Sequence, residues 1–167
     1  MILGMSLATF TLVHVIISLI GIVSGILVMF GLLGSSRMPG MTAIFLLTTI
    51  LTNATGFLFP FEKLLPSHIV AILSLVLLAI ACLALYGMKL SGAWRWIYVV
   101  TAMISLYLNI FVLVIQGFLK VPFLHALAPS VPPSEPPFAV VQGLVLLFFV
   151  LVIIGAVRRF RPPATYA

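Results

Sequence analysis

The chain has 167 residues, of which 64% are hydrophobic and 6% are charged, and its mean hydropathy is +1.41. Soluble domains carry about 25% charged residues, so this composition excludes a soluble globule and predicts an all-α, polytopic transmembrane helical bundle. The net charge of +6 is spread between apolar runs, which indicates membrane topology rather than a nucleic-acid interface. The single cysteine, Cys82, excludes an intrachain disulfide framework.

Five apolar runs are long enough to cross a bilayer as helices, which takes about 20 residues each. They cover residues 7–33, 41–61, 69–87, 94–118 and 138–157 of one transmembrane domain that spans 1–167. The first run is too long for the core of a cleavable signal peptide and follows no basic residue, so we expect a retained helix. Because two runs could fuse or shorten, a four-span arrangement stays open as the alternative.

The basic residues predict the direction of threading, since cytoplasmic loops are enriched in Lys and Arg. With five spans and the N-terminus outside, Lys63 and Lys120 fall outside together with both acids, Glu62 and Glu135. The other six basic residues then lie on the cytoplasmic side: Arg37, Lys89, Arg95, Arg158, Arg159 and Arg161. We therefore expect the N-terminus outside, the C-terminus inside, and a basic cytoplasmic tail over 158–167.

Two segments between the spans have distinctive sequences. WRWIY at 94–98 predicts that Trp94, Arg95 and Trp96 anchor the protein at the membrane interface, with the arginine reaching lipid phosphates. The basic residues at the end of the last span, Arg158, Arg159 and Arg161, are predicted to be anchors of the same kind. Residues 119–137 form a proline-rich outer loop, in which 122–128 are predicted to be a short helix and 129–137 to be extended. Ser67 is the predicted N-cap of the third span.

Polar and small residues follow one face of three spans, as close helix packing in a membrane requires. On span 1 they are Thr11, His14, Ser18, Gly21 and Gly25, and on span 4 they are Tyr98, Ala102, Ser105, Asn109 and Gln116. Span 2 carries a broad face of threonines with Asn53. We expect spans 1, 2 and 4 to pack through these faces, with spans 3 and 5 flanking them. The Gly21-Gly25 pair also predicts self-association or contact with other membrane subunits.

The strongly polar side chains concentrate in the outer half of the predicted bundle, which favours a cavity open to the outside over a continuous polar path. The predicted pocket residues are His14, Asn53, Glu62, His68, Asn109 and Gln116. Asn53 opens an Asn-Ala-Thr sequon, but its place inside a span predicts a hydrogen bond to span 1 or span 4. His14 is expected to bond Asn53, Asn109 or a backbone carbonyl.

The chain lacks the sequence motifs of nucleophilic, zinc-dependent or nucleotide-dependent enzymes, so we expect a non-enzymatic structural, accessory or ligand-sensing protein. A haem- or quinone-linked redox protein that uses His14 and His68 is one alternative. A small transporter or permease subunit is the other. No cofactor is predicted, although haem b stays a lesser alternative. No metal site is predicted, because the spacing of His68, His125 and Glu62 in the sequence matches no known pattern of metal ligands.

Three stretches also carry a resemblance: FPFEKLLPSHIVAILSL, GAWRWIYVV, and the run YLNIFVLVIQGFLKVPFLHALAP followed by SEPPF. They resemble sequences of a group of small bacterial inner-membrane proteins to which no activity is assigned, and the resemblance covers residues 21–162. It implies a multi-pass protein of the bacterial cytoplasmic membrane and says nothing about activity.

Overall fold

The computed structural model describes residues 1–64 and 66–162, and within them the regular structure is helical. The helices are α1 (Leu7–Leu33), α2 (Pro39–Gly56), α3 (Pro66–Cys82), α4 (Trp94–Lys120), α5 (Pro122–Leu127) and α6 (Pro136–Arg159). A π-helical turn, Leu83–Gly87, continues α3, and we call it the π-turn. Of the predicted basic tail, residues 163–167 lie outside the described residues.

Four helices in the described part of the chain are long and apolar enough to cross a membrane: α1, α3 with its π-turn, α4 and α6. The predicted bounds of α1 are confirmed, and the other three lie within a few residues of prediction. The second span was predicted to reach residue 61, but α2 ends at Gly56. The N–H of Phe57 bonds back to the carbonyls of Ala54 and Thr55, and Pro60 offers no N–H with which to continue a helix.

Helix α2 runs antiparallel to α1 along nearly its whole length. The contacting pairs, in chain order from the residue before α2 to the loop after it, are Met38–Gly31, Phe45–Gly25, Thr49–Gly21, Thr55–His14 and Phe59–Phe10. From Gly31 back to Phe10, α1 rises about 32 Å at 1.5 Å per residue. The turn after α2 therefore lies beside the first turn of α1.

Helix α4 lies at the centre of the bundle. Its residues Val99, Ala102, Met103 and Leu106 are each 0% exposed, and α1, α2, α3 and α6 all pack against it. In the most apolar stretches of α3 and α6, 22% and 17% of residues are buried, against 44% in α1 and 39% in α4. Helix α6 therefore flanks the bundle as predicted. Helix α3 does not, because it has as many buried residues as α2 and packs against both α2 and α4.

The two ends of the bundle differ in charge. The N-terminal end holds the start of α1, the α2–α3 loop, the end of α4, α5 and the start of α6. The C-terminal end holds the α1–α2 loop, the α3–α4 loop and the end of α6. Four charged residues, Glu62, Lys63, Lys120 and Glu135, lie at the N-terminal end, and the other six, all basic, lie at the C-terminal end.

Three predictions about helix ends and surfaces need correction. Helix α3 begins at Pro66, so Ser67 lies inside the first turn and is not the cap. Helix α6 begins at Pro136, because proline is well suited to the first turn, where its missing N–H costs nothing; residues 136–137 are therefore helical rather than extended. The short helix predicted over 122–128 is confirmed as α5.

The third correction concerns the glycine pair of α1. A Cβ on Gly25 would lie 2.6 Å from Cδ1 of Leu106 and 2.9 Å from the Phe45 ring, and one on Gly21 would lie 3.1 Å from Oγ1 of Thr49. Both glycines are buried against α2 and α4 of the same chain. This face is therefore occupied within the molecule and is not available for the predicted self-association.

Candidate functional site

A cavity of about 500 Å³ opens at the N-terminal end, between α1, α2, α3 and α4, and we call it the N-terminal cavity. Its polar lining includes His14 and Ser18 of α1, Thr52 of α2, His68 of α3, and Asn109, Gln116 and Lys120 of α4. Apolar walls come from Leu19, Phe59, Phe61, Val112 and Leu113. Sites for small organic ligands have volumes of about 300–1,000 Å³ and a similar mixture of apolar walls and a few polar groups.

Four of the six predicted pocket residues line this cavity: His14, His68, Asn109 and Gln116. The other two lie elsewhere. Glu62 is exposed in the α2–α3 loop, and Asn53 faces α3.

His14 is held by a hydrogen bond that the sequence did not predict. Its Nδ1 lies 2.8 Å from Oγ1 of Thr55, and its ring meets Phe59 edge-on with centroids 5.1 Å apart. The Thr55 hydroxyl already donates to the Leu51 carbonyl at 2.6 Å, so its oxygen accepts from Nδ1–H. In the neutral ring this tautomer makes Nε2 the hydrogen-bond acceptor. The expected partners, Asn53, Asn109 or a carbonyl, were wrong because the antiparallel register places Thr55 there.

His68 is enclosed by aromatic rings. Its imidazole lies 5.3 Å from the ring of Phe57 and 4.2 Å from that of Phe61, and the residue is 5% exposed. Both phenylalanines belong to the segment after α2, which was predicted to be helical. Because that segment turns instead, it folds over the first turn of α3. His68 is consequently a buried wall of the cavity.

Asn109 supplies an unpartnered donor beside the cavity. The Ser18 hydroxyl donates to its Oδ1 at 3.4 Å, whereas its buried Nδ2 has no hydrogen-bond partner among the described residues. A buried donor without a partner costs about 1–3 kcal/mol. Because this nitrogen is itself enclosed, a ligand oxygen could reach it only if the Asn109 side chain turned towards the cavity.

Asn53 serves a structural purpose. Its Nδ2 donates to the Thr49 carbonyl at 2.8 Å and to Oγ of Ser74 at 3.2 Å. Ser74 is on α3 and is 1% exposed. The predicted bond to span 1 or span 4 is thus wrong, because α3 covers this side of α2. The sequon lies within the helix, and its amide links α2 to α3.

Glu135 organises the loop at this end through hydrogen bonds. The Ser130 hydroxyl and N–H both donate to Oε1 of Glu135, and the Ser134 N–H donates to Oε2 at 3.2 Å. The Ser130 hydroxyl is the main cause that holds the pKa of this carboxyl below its ordinary value. His125 Nδ1 lies 3.2 Å from the Phe118 carbonyl oxygen. Across residues 1–64 and 66–162, no three His, Cys, Asp or Glu side chains are grouped as metal ligands would be.

At the C-terminal end, Arg95 differs from its predicted role as a lipid anchor. Its Nη1 donates to the carbonyls of Val157 and Phe160 at 2.8 and 2.7 Å. These are carbonyls that the end of α6 leaves without helical partners, and a cation there also complements the helix dipole. Arg95 therefore caps α6. The remaining predicted anchors divide as follows: Trp96, Arg158, Arg159 and Arg161 are exposed, and Trp94 is partly buried against the core.

The sequence reasoning missed three lining residues of the cavity and the residue that holds His14. Lys120 lies one helical turn beyond Gln116, on the same face of α4, so periodicity could have found it. The contact of Thr55 with His14 could be predicted only once the α1–α2 loop is known, because the loop sets the register in which α1 and α2 run antiparallel. Phe59 and Phe61 carry no such signal, because their position depends on where α2 ends.

Comparisons with protein-family models, with curated proteins and with solved structures find no match to this chain.

Proposed function

We propose that this protein crosses the bacterial inner membrane five times, with its N-terminus in the periplasm. Helix α2 has 18 residues, or about 27 Å, close to the 30 Å thickness of the hydrocarbon core. Its antiparallel path beside α1 supports a full crossing, and the start of α1 and the end of α6 lie at opposite ends of the bundle, as an odd number of spans requires. The six basic residues at the C-terminal end support a cytoplasmic position for that end.

The protein is a non-enzymatic bundle whose N-terminal cavity binds a small amphiphilic ligand from the periplasmic side. The observation that carries this proposal is the convergence of polar groups from four helices on one cavity. Lys120 lines the cavity, and Glu62 and Glu135 do not. The charge balance favours a ligand whose head group is neutral or anionic and accepts hydrogen bonds.

The packed core favours ligand binding over transport. Between the N-terminal cavity and the C-terminal end lie Phe45, Leu46 and Leu106, which are 0–2% exposed. Side chains at this density leave no route for a solute. A transporter would need these residues to separate, and ligand binding requires no such movement.

One observation favours a redox role as the second candidate. His14 and His68 line the same cavity, and the Thr55 bond leaves Nε2 of the neutral His14 ring as the acceptor. Metal-bound histidines commonly donate the other ring N–H in this way. An absorption spectrum of the protein, purified from haem-replete cells, tests the haem version: no Soret band rejects it.

The ligand proposal is tested with three amphiphiles that share a tail: decanoate, decanol and decylamine. We expect decanoate and decanol to raise the unfolding temperature of the protein in nanodiscs, by linkage to the folded state. Asn109→Leu should remove most of that rise. Gln142→Leu is the matched control, because Gln142 is likewise an amide side chain inside a long helix but does not line the cavity. Equal rises in all three proteins, or no rise in the wild type, would contradict the proposal.

A further inference from the structure

The hydroxyls that line the N-terminal cavity on α1 and α2 are turned towards acceptors of the protein itself. Thr11 and Thr52 each donate, at 2.8 Å, to the backbone carbonyl four residues earlier in the same helix. The Ser18 hydroxyl donates to Oδ1 of Asn109. Because a hydroxyl has a single hydrogen, these three oxygens have only lone pairs left for a ligand. The α1 and α2 side of the cavity is therefore a wall of hydrogen-bond acceptors, which we call the acceptor wall.

Nε2 of His14 belongs to the same acceptor wall. In the neutral ring, the bond from Nδ1–H to Thr55 makes Nε2 an acceptor, and within residues 1–64 and 66–162 this atom has no hydrogen-bond partner. Neither of the protein's two acidic side chains lines the cavity, where one could balance a charged imidazolium. His14 thus presents an acceptor that the described part of the chain does not use.

Helix α4 supplies donors at the same depth. Gln116 carries an amide NH2 group and Lys120 an ammonium group, and both residues line the cavity. Helix α4 runs antiparallel to α1, and the Ser18–Asn109 bond sets their register. At 1.5 Å per residue, Gln116 then lies within about one helical turn of the level of His14. A ligand at this level therefore meets acceptors on α1 and α2 and donors on α4.

We propose that the ligand of the N-terminal cavity has a hydroxyl head group, as a long-chain alcohol or a monoacylglycerol has, and that this hydroxyl donates to Nε2 of His14. The inference rests on the ligand binding proposed above and specifies the chemistry of the ligand. A hydroxyl donates and accepts through one oxygen, so the same atom can accept from the Gln116 amide. An ether or a ketone has no proton to donate and would leave the acceptor wall without a partner.

Two isomers that differ in this donor test the inference: decanol and methyl nonyl ether, which share one molecular formula. Each is titrated into the full-length protein in nanodiscs, at equal mole fractions of the lipid, and the rise in unfolding temperature gives an apparent Kd. We expect the alcohol to bind about ten-fold more tightly than the ether, because the ether leaves a buried acceptor without a hydrogen bond.

Variants of two histidines assign the preference to the cavity. His14→Phe removes the acceptor and keeps an aromatic ring beside Phe59, and it should reduce the preference for the alcohol to less than about three-fold. His14→Gln keeps an acceptor oxygen and should retain part of the preference. His125→Phe is the matched control, because His125 lies at the same end of the bundle but does not line the cavity. The control should keep the preference of the wild type.

Equal binding of the two isomers to the wild type overturns the inference and leaves the ligand proposal standing. A preference that is unchanged in His14→Phe, or that is reduced equally in His125→Phe, also overturns it. If neither isomer raises the unfolding temperature, the inference is wrong, and the ligand proposal falls with it only if decanoate is also without effect. The comparison of isomers on the wild type needs no variant, so it decides the matter should His14→Phe fail to fold.

Discussion

The close approach of α1 to α2 and α4 at Gly25 gives the sharpest prediction about stability. A methyl group there would lie 2.6 Å from Cδ1 of Leu106 and 2.9 Å from two atoms of the Phe45 ring. The leucine terminus can turn aside, but both residues are 0% exposed and the ring has little room to move. Overpacking a core costs about 1–3 kcal/mol, and the better helix propensity of alanine recovers about 1 kcal/mol. Gly25→Ala should therefore destabilise the fold by about 1 kcal/mol.

Gly143 provides the matched control. It also lies inside a helix, α6, but a methyl group there would meet no atom within 4 Å. Gly143→Ala should leave the free energy of unfolding unchanged or raise it by up to about 1 kcal/mol. Reversible unfolding of both variants in mixed micelles of dodecylmaltoside and SDS measures the difference. If Gly25→Ala were as stable as Gly143→Ala, the close packing of α1 against α2 and α4 would be wrong.

Three further predictions concern polar contacts. Arg95→Ala should lower the free energy of unfolding by about 2–3 kcal/mol, since charged hydrogen bonds contribute about 1.5–3 kcal/mol, and the same unfolding assay measures it. A double-mutant cycle of Asn53→Ala and Ser74→Ala should give a coupling of about 0.6–1.7 kcal/mol; additive effects would argue against that bond. Because folding lowers the pKa of Glu135, its stabilisation of the loop is present above the ordinary glutamate pKa and is lost as the pH falls through the lowered value. The protection factor of the Ser130 amide, which compares its exchange rate with that of an unstructured peptide at the same pH, should accordingly fall only at acidic pH, and a constant protection factor would contradict the contact.

Much of the fold follows from the sequence because hydrophobic runs and their interruptions are local signals. Helix α1 could be predicted to the residue, since its apolar run is bounded by Ser6 and Gly34. Helix α2 could not, because the phenylalanines after Gly56 continue the apolar pattern although they serve to cover His68. Hydropathy does not distinguish a residue that extends a helix from one that folds back over its neighbour.

The candidate site follows from the sequence only in part. Helical periodicity places His14, Asn109 and Gln116 on inward faces, and the structure brings them to one cavity. Helical periodicity does not predict which neighbouring helix covers a broad polar face such as that of α2. The predicted partner of Asn53 was wrong for this reason. The same holds for Arg95, whose carbonyl partners lie more than 60 residues away in the chain.

Accessibility of two engineered cysteines tests the central claim, five crossings with the N-terminal cavity open to the periplasm. In a Cys82→Ser background, Gln116→Cys places a thiol in the N-terminal cavity, and Ser36→Cys places one in the α1–α2 loop at the C-terminal end. Both parent residues are exposed. With a membrane-impermeant maleimide, the thiol at position 116 should react in spheroplasts, whereas the thiol at position 36 should react only in inverted vesicles. Reaction of both thiols from the same side of the membrane would contradict the account.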